Sequence, residues 1–227
     1  MKKTIWIDVG THFAQEHTSI FGSNYNFYSF IIRRFIGGKI LKRGKFVSLQ
    51  ELKEIIYSRK RIRERASEFF TVIIEANPKI AYKKRFYPGA DIFFNLALTD
   101  ENHSPVSIAK LYVGSGGDLA EGNSLFKTKH NPEDDNHIAT FGVSAGDFFN
   151  ELALYLDEKF GDYEVLLRLN CEGVEDEVIY SSYKSFGSKL KLICGALKDV
   201  EELKGEEASQ KLYQFMQDKG LLFVKFS

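Results

Sequence analysis

Two short apolar runs in this chain end in carboxylates. Ile5-Trp6-Ile7-Asp8-Val9-Gly10 lies near its start, and Val72-Ile73-Ile74-Glu75 follows after a long gap. Each run is too short for a helix, and each reaches its acid where a loop should begin. In an open α/β sheet, ligands bind at the carboxyl ends of the strands. A glycine turn after the first strand lets the backbone come close, and a carboxylate after the second can accept hydrogen bonds from ribose hydroxyls. The pairing suits a nucleoside. The first turn, Gly10-Thr11-His12, lacks Gly-x-Gly-x-x-Gly, which argues against a nicotinamide or flavin site. Two further segments place polar groups near strand ends. These are Asn95-Leu96-Ala97-Leu98 and Leu167-Arg168-Leu169-Asn170-Cys171-Glu172-Gly173-Val174-Glu175.

The elements that must position these residues follow from apolar periodicity and turn residues. Strands are expected at 4–9, 71–75, 91–98, 164–170, 189–194 and 221–226. Helices are expected at 49–68, from Pro78 to about residue 86, at 144–160, 175–185 and 206–219. Ser48 with Glu51 reads as a capping box for the first of these. Gly37-Gly38 and Gly44 read as turns of a hairpin. Residues 104–140 read as irregular, with a short strand over 107–113. Gly114, Gly116 and Gly117 read as a flexible rim, since no Gly-Lys-Ser/Thr follows them. Strands alternating with helices predict an α/β fold with a largely parallel, doubly wound sheet.

The 227 residues suit a single domain, 1–227, with an insertion. Net charge is zero, but its distribution is uneven. Between Arg33 and Arg65 stand 12 Lys/Arg and 3 Asp/Glu, a local net of +9 that leaves −9 on the rest. Tyr25, Phe27, Tyr28, Phe30, Phe35 and Phe46 interleave with part of this basic run. The two cysteines, Cys171 and Cys194, read as buried free thiols, and no metal site is expected. No run approaches the ~18 apolar residues of a membrane span. No leader is read before the first strand, so the expected setting is reducing and cytoplasmic.

Taken in order, these motifs resemble the FkbM family of S-adenosylmethionine-dependent methyltransferases. That family reads Asp-Val-Gly-Ala-Asn-x-Gly, then Glu-Pro-x-Pro, then Asn-x-Ala-Leu, then Lys-Ile-Asp-x-Glu-Gly-x-Glu. Ala145-Gly146-Asp147-Phe148-Phe149 resembles the step that precedes the last motif. The resemblance covers residues 4–15 and about 70–180. It implies a Rossmann-like methyltransferase fold with a mostly parallel seven-stranded sheet and an insertion after strand one, here the basic and aromatic segment 20–68. It implies S-adenosylmethionine as cofactor and a hydroxyl of a sugar or glycoconjugate as acceptor. Asp8, Gly10 and Thr11 would surround the methionine part, with His12 in reach of the ligand. Glu75, with Asn77 beside it, would take the ribose, and Asn95, Ala97 and Leu98 would flank the adenine. Asn170 and Glu172 would lie near the transferring methyl group.

The chain departs from the pattern in three places. Ala14 stands for the second glycine, Asn170 for the usual Asp and Arg168 for the usual Lys. About 60 residues separate Gly10 from the second strand, against roughly 20 in a typical βαβ unit. Asn170 cannot act as a base, so Glu172, Glu175, His103, His130 and His137 are the candidates, with Glu172 and His103 preferred. Glu172 also reads as a structural carboxylate binding nearby amides. The insert reads either as a solvated face with a small aromatic core or as a grip on an anionic or sugar-rich acceptor. Methylation of RNA and a catalytically degenerate binding module are the alternatives. Nucleic acid is disfavoured because the chain as a whole is neutral.

Overall fold

The computed structural model describes residues 2–12, 14–39, 49–82, 89–100, 105–114, 117–118, 123–129 and 135–225. Its centre is a sheet whose strands read as continuous apolar runs, as strands buried on both faces must. β1 (Lys3–Val9) lies in the middle, with Ile5 and Ile7 fully buried. β2 (Phe69–Ile74) and β3 (Ile92–Phe94) pair beside it in turn. On its other side stand β7 (Tyr163–Leu169), β8 (Leu190–Gly195) and β9 (Leu222–Lys225). The order is β3-β2-β1-β7-β8-β9, and every pairing is parallel. The chain winds to one edge, returns to the middle and winds to the other, as in doubly wound Rossmann-like folds. The parallel sheet has six described strands, against the seven expected.

A second sheet separates the two halves. β4 (Ala97–Thr99) runs parallel to β6 (His137–Ser144), and β5 (Val106–Tyr112) antiparallel to it. The run expected as one strand over 91–98 is therefore two strands in two sheets. It breaks at Asn95-Leu96, where the Asn95 side chain donates to the Glu75 carbonyl at 2.7 Å. β6 falls in the stretch expected to be irregular.

Helices cover the sheet. Ser144 caps α5 (Ala145–Phe160), whose Phe149, Leu152 and Leu156 join the main core. α6 (Glu175–Phe186), α7 (Lys198–Lys204) and α8 (Glu206–Asp218) follow, with α7 falling between expected elements. α4 (Pro78–Ala81) is one turn long in the described residues. Neither cysteine is in a disulfide, and both are half-buried by accessible surface rather than fully buried. No helix among the described residues is long and apolar enough to cross a membrane.

In its described residues the insertion after β1 is helical. α1 (Gln15–Phe21), α2 (Asn24–Lys39) and α3 (Leu49–Glu64) occupy it. Gly37 and Gly38 lie in the last turns of α2, so no hairpin turn forms there. Each helical glycine costs about 1 kcal/mol against alanine, a penalty that falls where the helix is already ending. Gly44 and the Ser48 cap lie outside the described residues.

Arg59, one member of the basic run, points inward. Its Nε donates to the Ser19 carbonyl at 2.6 Å, Nη1 to Asn24 Oδ1 at 3.0 Å and Nη2 to the Gly22 carbonyl at 3.1 Å. The guanidinium also lies 4.4 Å from the centre of the Phe27 ring. It thus fastens α3 to the corner between α1 and α2, satisfying carbonyls that a helix end leaves open. Arg59→Ala should lower unfolding free energy by about 2–3 kcal/mol, because it removes several charge-assisted hydrogen bonds at once. Urea denaturation of the variant measures the loss, and a change below about 0.5 kcal/mol would refute the anchoring role.

Candidate functional site

The chain switches direction between β1 and β7, so the loops after these strands flank the crevice where ligands of such sheets bind. The two strands are register partners, with Asp8 opposite Arg168. Asp8 is 0% exposed. Its Oδ1 accepts a hydrogen bond from Arg168 Nη1 at 3.0 Å, and the same nitrogen donates to the Gly10 carbonyl at 3.0 Å. A side chain expected to surround a ligand thus forms a buried ion pair, and its partner is the Arg that stands where the family has Lys.

Gly10 has φ +72°, and a Cβ there would lie 2.1 Å from the Asn170 carbonyl oxygen. Glycine is required because β7's loop presses against β1's loop. The Asn170 N–H reciprocates by donating to the Val9 carbonyl at 3.0 Å. Gly10 N–H in turn donates to the Ile74 carbonyl at 3.0 Å, which ties in β2.

Glu75 closes the same cluster. Its Oε2 accepts from the His12 N–H at 2.6 Å and its Oε1 from the Asn77 N–H at 2.8 Å. The residue is 6% exposed. Burial pushes its carboxyl up from 4.5 to about 7, against the pull of the two amides. Each oxygen retains one lone pair after these bonds. Asn77 caps α4 through Lys79 N–H and donates its amide to the Asp118 carbonyl at 2.6 Å. Thr11, between these anchored residues, is 2% exposed, and its hydroxyl has no partner among the described residues. Buried hydroxyls are nearly always bonded, so this one invites a ligand or water.

The structure therefore brings Asp8, Gly10, Thr11, His12, Glu75, Asn77, Asn95 and Asn170 to one edge. For Ala97 and Leu98 the structure shows burial rather than a polar contact with this cluster. Both are buried in β4, and Leu98 packs in the main core. His103 and His130 fall outside the described residues. His137 stands at the start of β6 with its ring against Tyr112.

Beyond β7 the last motif divides into two roles. Glu175 is fully buried, and its carboxylate accepts from the N–H groups of Cys171, Glu172 and Gly173 at 3.0, 2.8 and 2.8 Å. It folds the loop rather than facing the crevice, and burial raises its carboxyl above the usual range. Glu172 adopts φ +62°. Its carboxylate pairs with Lys129, which also reaches Asp199 Oδ1 at 2.8 Å. Lys129 and Asp199 escaped sequence reasoning. One lies in the stretch read as irregular and the other on the unexpected α7, so only the fold brings them to Glu172.

Backbone strain gathers here too. The non-glycine residues with positive φ among those described are His12, Ala14 and Glu172. Ala14 holds φ +47° with its methyl fully buried, a left-handed turn that a glycine would adopt without strain. That conformation costs roughly 1–2 kcal/mol for a non-glycine residue.

No protein-family model, curated protein or solved structure matches this chain.

Removing one partner of a buried ion pair strands a charge, at about 3–5 kcal/mol. Asp8→Asn should therefore lower stability by about 3 kcal/mol in urea titrations, and a loss under about 1 kcal/mol would contradict the pairing.

A second prediction concerns pH. His17, on α1, is fully buried beside Phe21, and burial takes its imidazole from 6.5 to about 4. Between pH 4.5 and 6.5 the unfolded chain holds a proton on His17 that the folded chain lacks, so this group's contribution to stability falls as pH falls. For Glu75 the folded chain holds the extra proton, so its contribution falls as pH rises. Each slope approaches about 1.4 kcal/mol per pH unit, and in the intact protein they oppose each other. Glu75→Gln should leave stability rising with pH across this window, and His17→Phe should leave it falling. Parallel profiles for the two variants would overturn both assignments.

Proposed function

We propose that this chain is an S-adenosylmethionine-dependent O-methyltransferase acting on a hydroxyl of a sugar or glycoconjugate. The observation that carries this reading is the convergence of Thr11, Glu75 and Asn170 at the switch point, with a buried Thr11 hydroxyl that has no partner among the described residues. The residues fit the cofactor. Glu75 retains a lone pair on each oxygen for the ribose hydroxyls, and its two amide bonds fix its orientation. Thr11 would supply a hydrogen bond to a polar group of the methionine part. Asn95, tied to the Glu75 carbonyl, would border the adenine.

When bound, the sulfonium supplies a reactive methyl group, so the protein's task is mainly to align donor and acceptor. Asn170 would orient the acceptor hydroxyl without taking its proton. Glu172 would receive that proton, its carboxylate being held by the ion pair with Lys129. The acceptor class rests on the family resemblance. The RNA alternative is weakened by the inward turn of Arg59 and by the pairing of Arg65 with Glu68 at 2.5 Å.

Titration calorimetry with S-adenosylmethionine tests the reading. Binding is expected, with Glu75→Ala weakening it at least tenfold while the variant stays folded. No heat at millimolar ligand would overturn the proposal. Undiminished binding by Glu75→Ala would overturn the ribose assignment.

A further inference from the structure

A cavity of about 540 Å³ opens between β3, the second sheet and α5, and no residue of the switch-point cluster lines it. Ile92, Phe94, Val143 and Leu152 form an apolar floor. One wall is different. Asp147 and Glu151, one turn apart on α5, border the cavity at exposed positions. Neither carboxylate has an ion-pair partner among the described residues. Farther along the helix, the hydroxyl of Tyr155 accepts from Lys159 Nζ at 2.9 Å. Lys159 itself does not line the cavity, and among the described residues no lysine or arginine does.

The apolar floor continues outward. Val106 borders the cavity and pairs across strands with Val143, and the next pair on the same face, two residues on, is Ile108 with Phe141. Ile108 is 68% exposed and Phe141 61%. Large apolar groups left in water beside a cavity mark a binding surface more often than an idle one.

We propose that this cavity is a site for a small hydrophobic amine, whose apolar body lies on Ile92, Phe94 and Leu152 and whose ammonium meets Asp147 and Glu151. The occupant follows from charge complementarity. Two adjacent carboxylates at the mouth of an apolar cavity favour a cation over a neutral or anionic molecule of the same shape, and partial desolvation strengthens that preference. The site is independent of the methyltransferase reading and can stand if that reading fails.

The test compares three matched probes: 4-phenylbutylamine, 4-phenylbutanol and 4-phenylbutanoate. Binding is followed by methyl NMR of the full chain, on the signals of Val106, Val143 and Leu152. The amine should bind at least tenfold more tightly than the alcohol, and the carboxylate more weakly than either. In the doubly substituted D147N/E151Q protein, which changes only exposed helix positions, amine affinity should fall to that of the alcohol. Equal binding of amine and alcohol would overturn the proposal, as would shifts confined to other methyl groups or no binding by any probe. Probe-free shifts of these signals with protein concentration would overturn it in favour of a second copy covering the face.

Discussion

The contact between Arg168 and Asp8 sets what the carboxyl edge of the sheet can be. It joins β1 to β7 across the point where the chain changes direction, and it lies in a core that admits almost no water. A buried ion pair gains little over well-packed apolar groups, but it is costly to break. Arg168 adds a bond to the Gly10 carbonyl, so the pair also settles where the first loop leaves the strand. From there the constraint spreads by backbone contacts. Gly10 must be glycine because Asn170 lies against it, and the Gly10 N–H reaches β2.

Carboxylates do similar work in the neighbouring loops. Glu75 gathers the amides of His12 and Asn77, and Glu175 gathers three amides after β7. Each ties a loop to the end of a strand, and charge-assisted bonds of this kind are stronger than neutral ones. A motif residue can therefore serve the fold and a ligand together. Glu75 keeps a lone pair on each oxygen, as the proposed ribose contact requires, whereas Glu175 is enclosed by its own loop. The strained backbone at His12, Ala14 and Glu172 gathers along the same edge, as strain does where loops are held for binding.

Much of this was legible in the sequence. The acid-ended strands and the helices at α5, α6 and α8 follow from apolar runs and turn residues. Glu172 is expected just past β7 because a short apolar run stops there, whereas Asn170, expected as the last residue of that strand, lies one residue beyond its observed end at Leu169. What was not legible depends on tertiary partners. No local signal separates Glu75 accepting its own loop's amides from Glu75 awaiting a ribose. The break at Asn95 lies inside an apolar run, so period alone joins β3 to β4. Gly37 and Gly38 suggested a turn because glycine breaks helices in isolation, yet α2 carries them in its last turns. Arg59 looked like surface charge until α3 was set against the α1–α2 corner. Lys129 and Asp199 meet Glu172 only through the crossing of distant segments.

The central claim is that the switch-point edge receives S-adenosylmethionine through Thr11 and Glu75. The most direct measurement is a crystal structure with S-adenosylhomocysteine, the product that remains after methyl transfer. The account predicts the ligand across the carboxyl ends of β1 and β7, its ribose hydroxyls on Glu75 and a polar contact at Thr11. A ligand seated elsewhere, or a crystal with saturating ligand and an edge unchanged and empty, would contradict it.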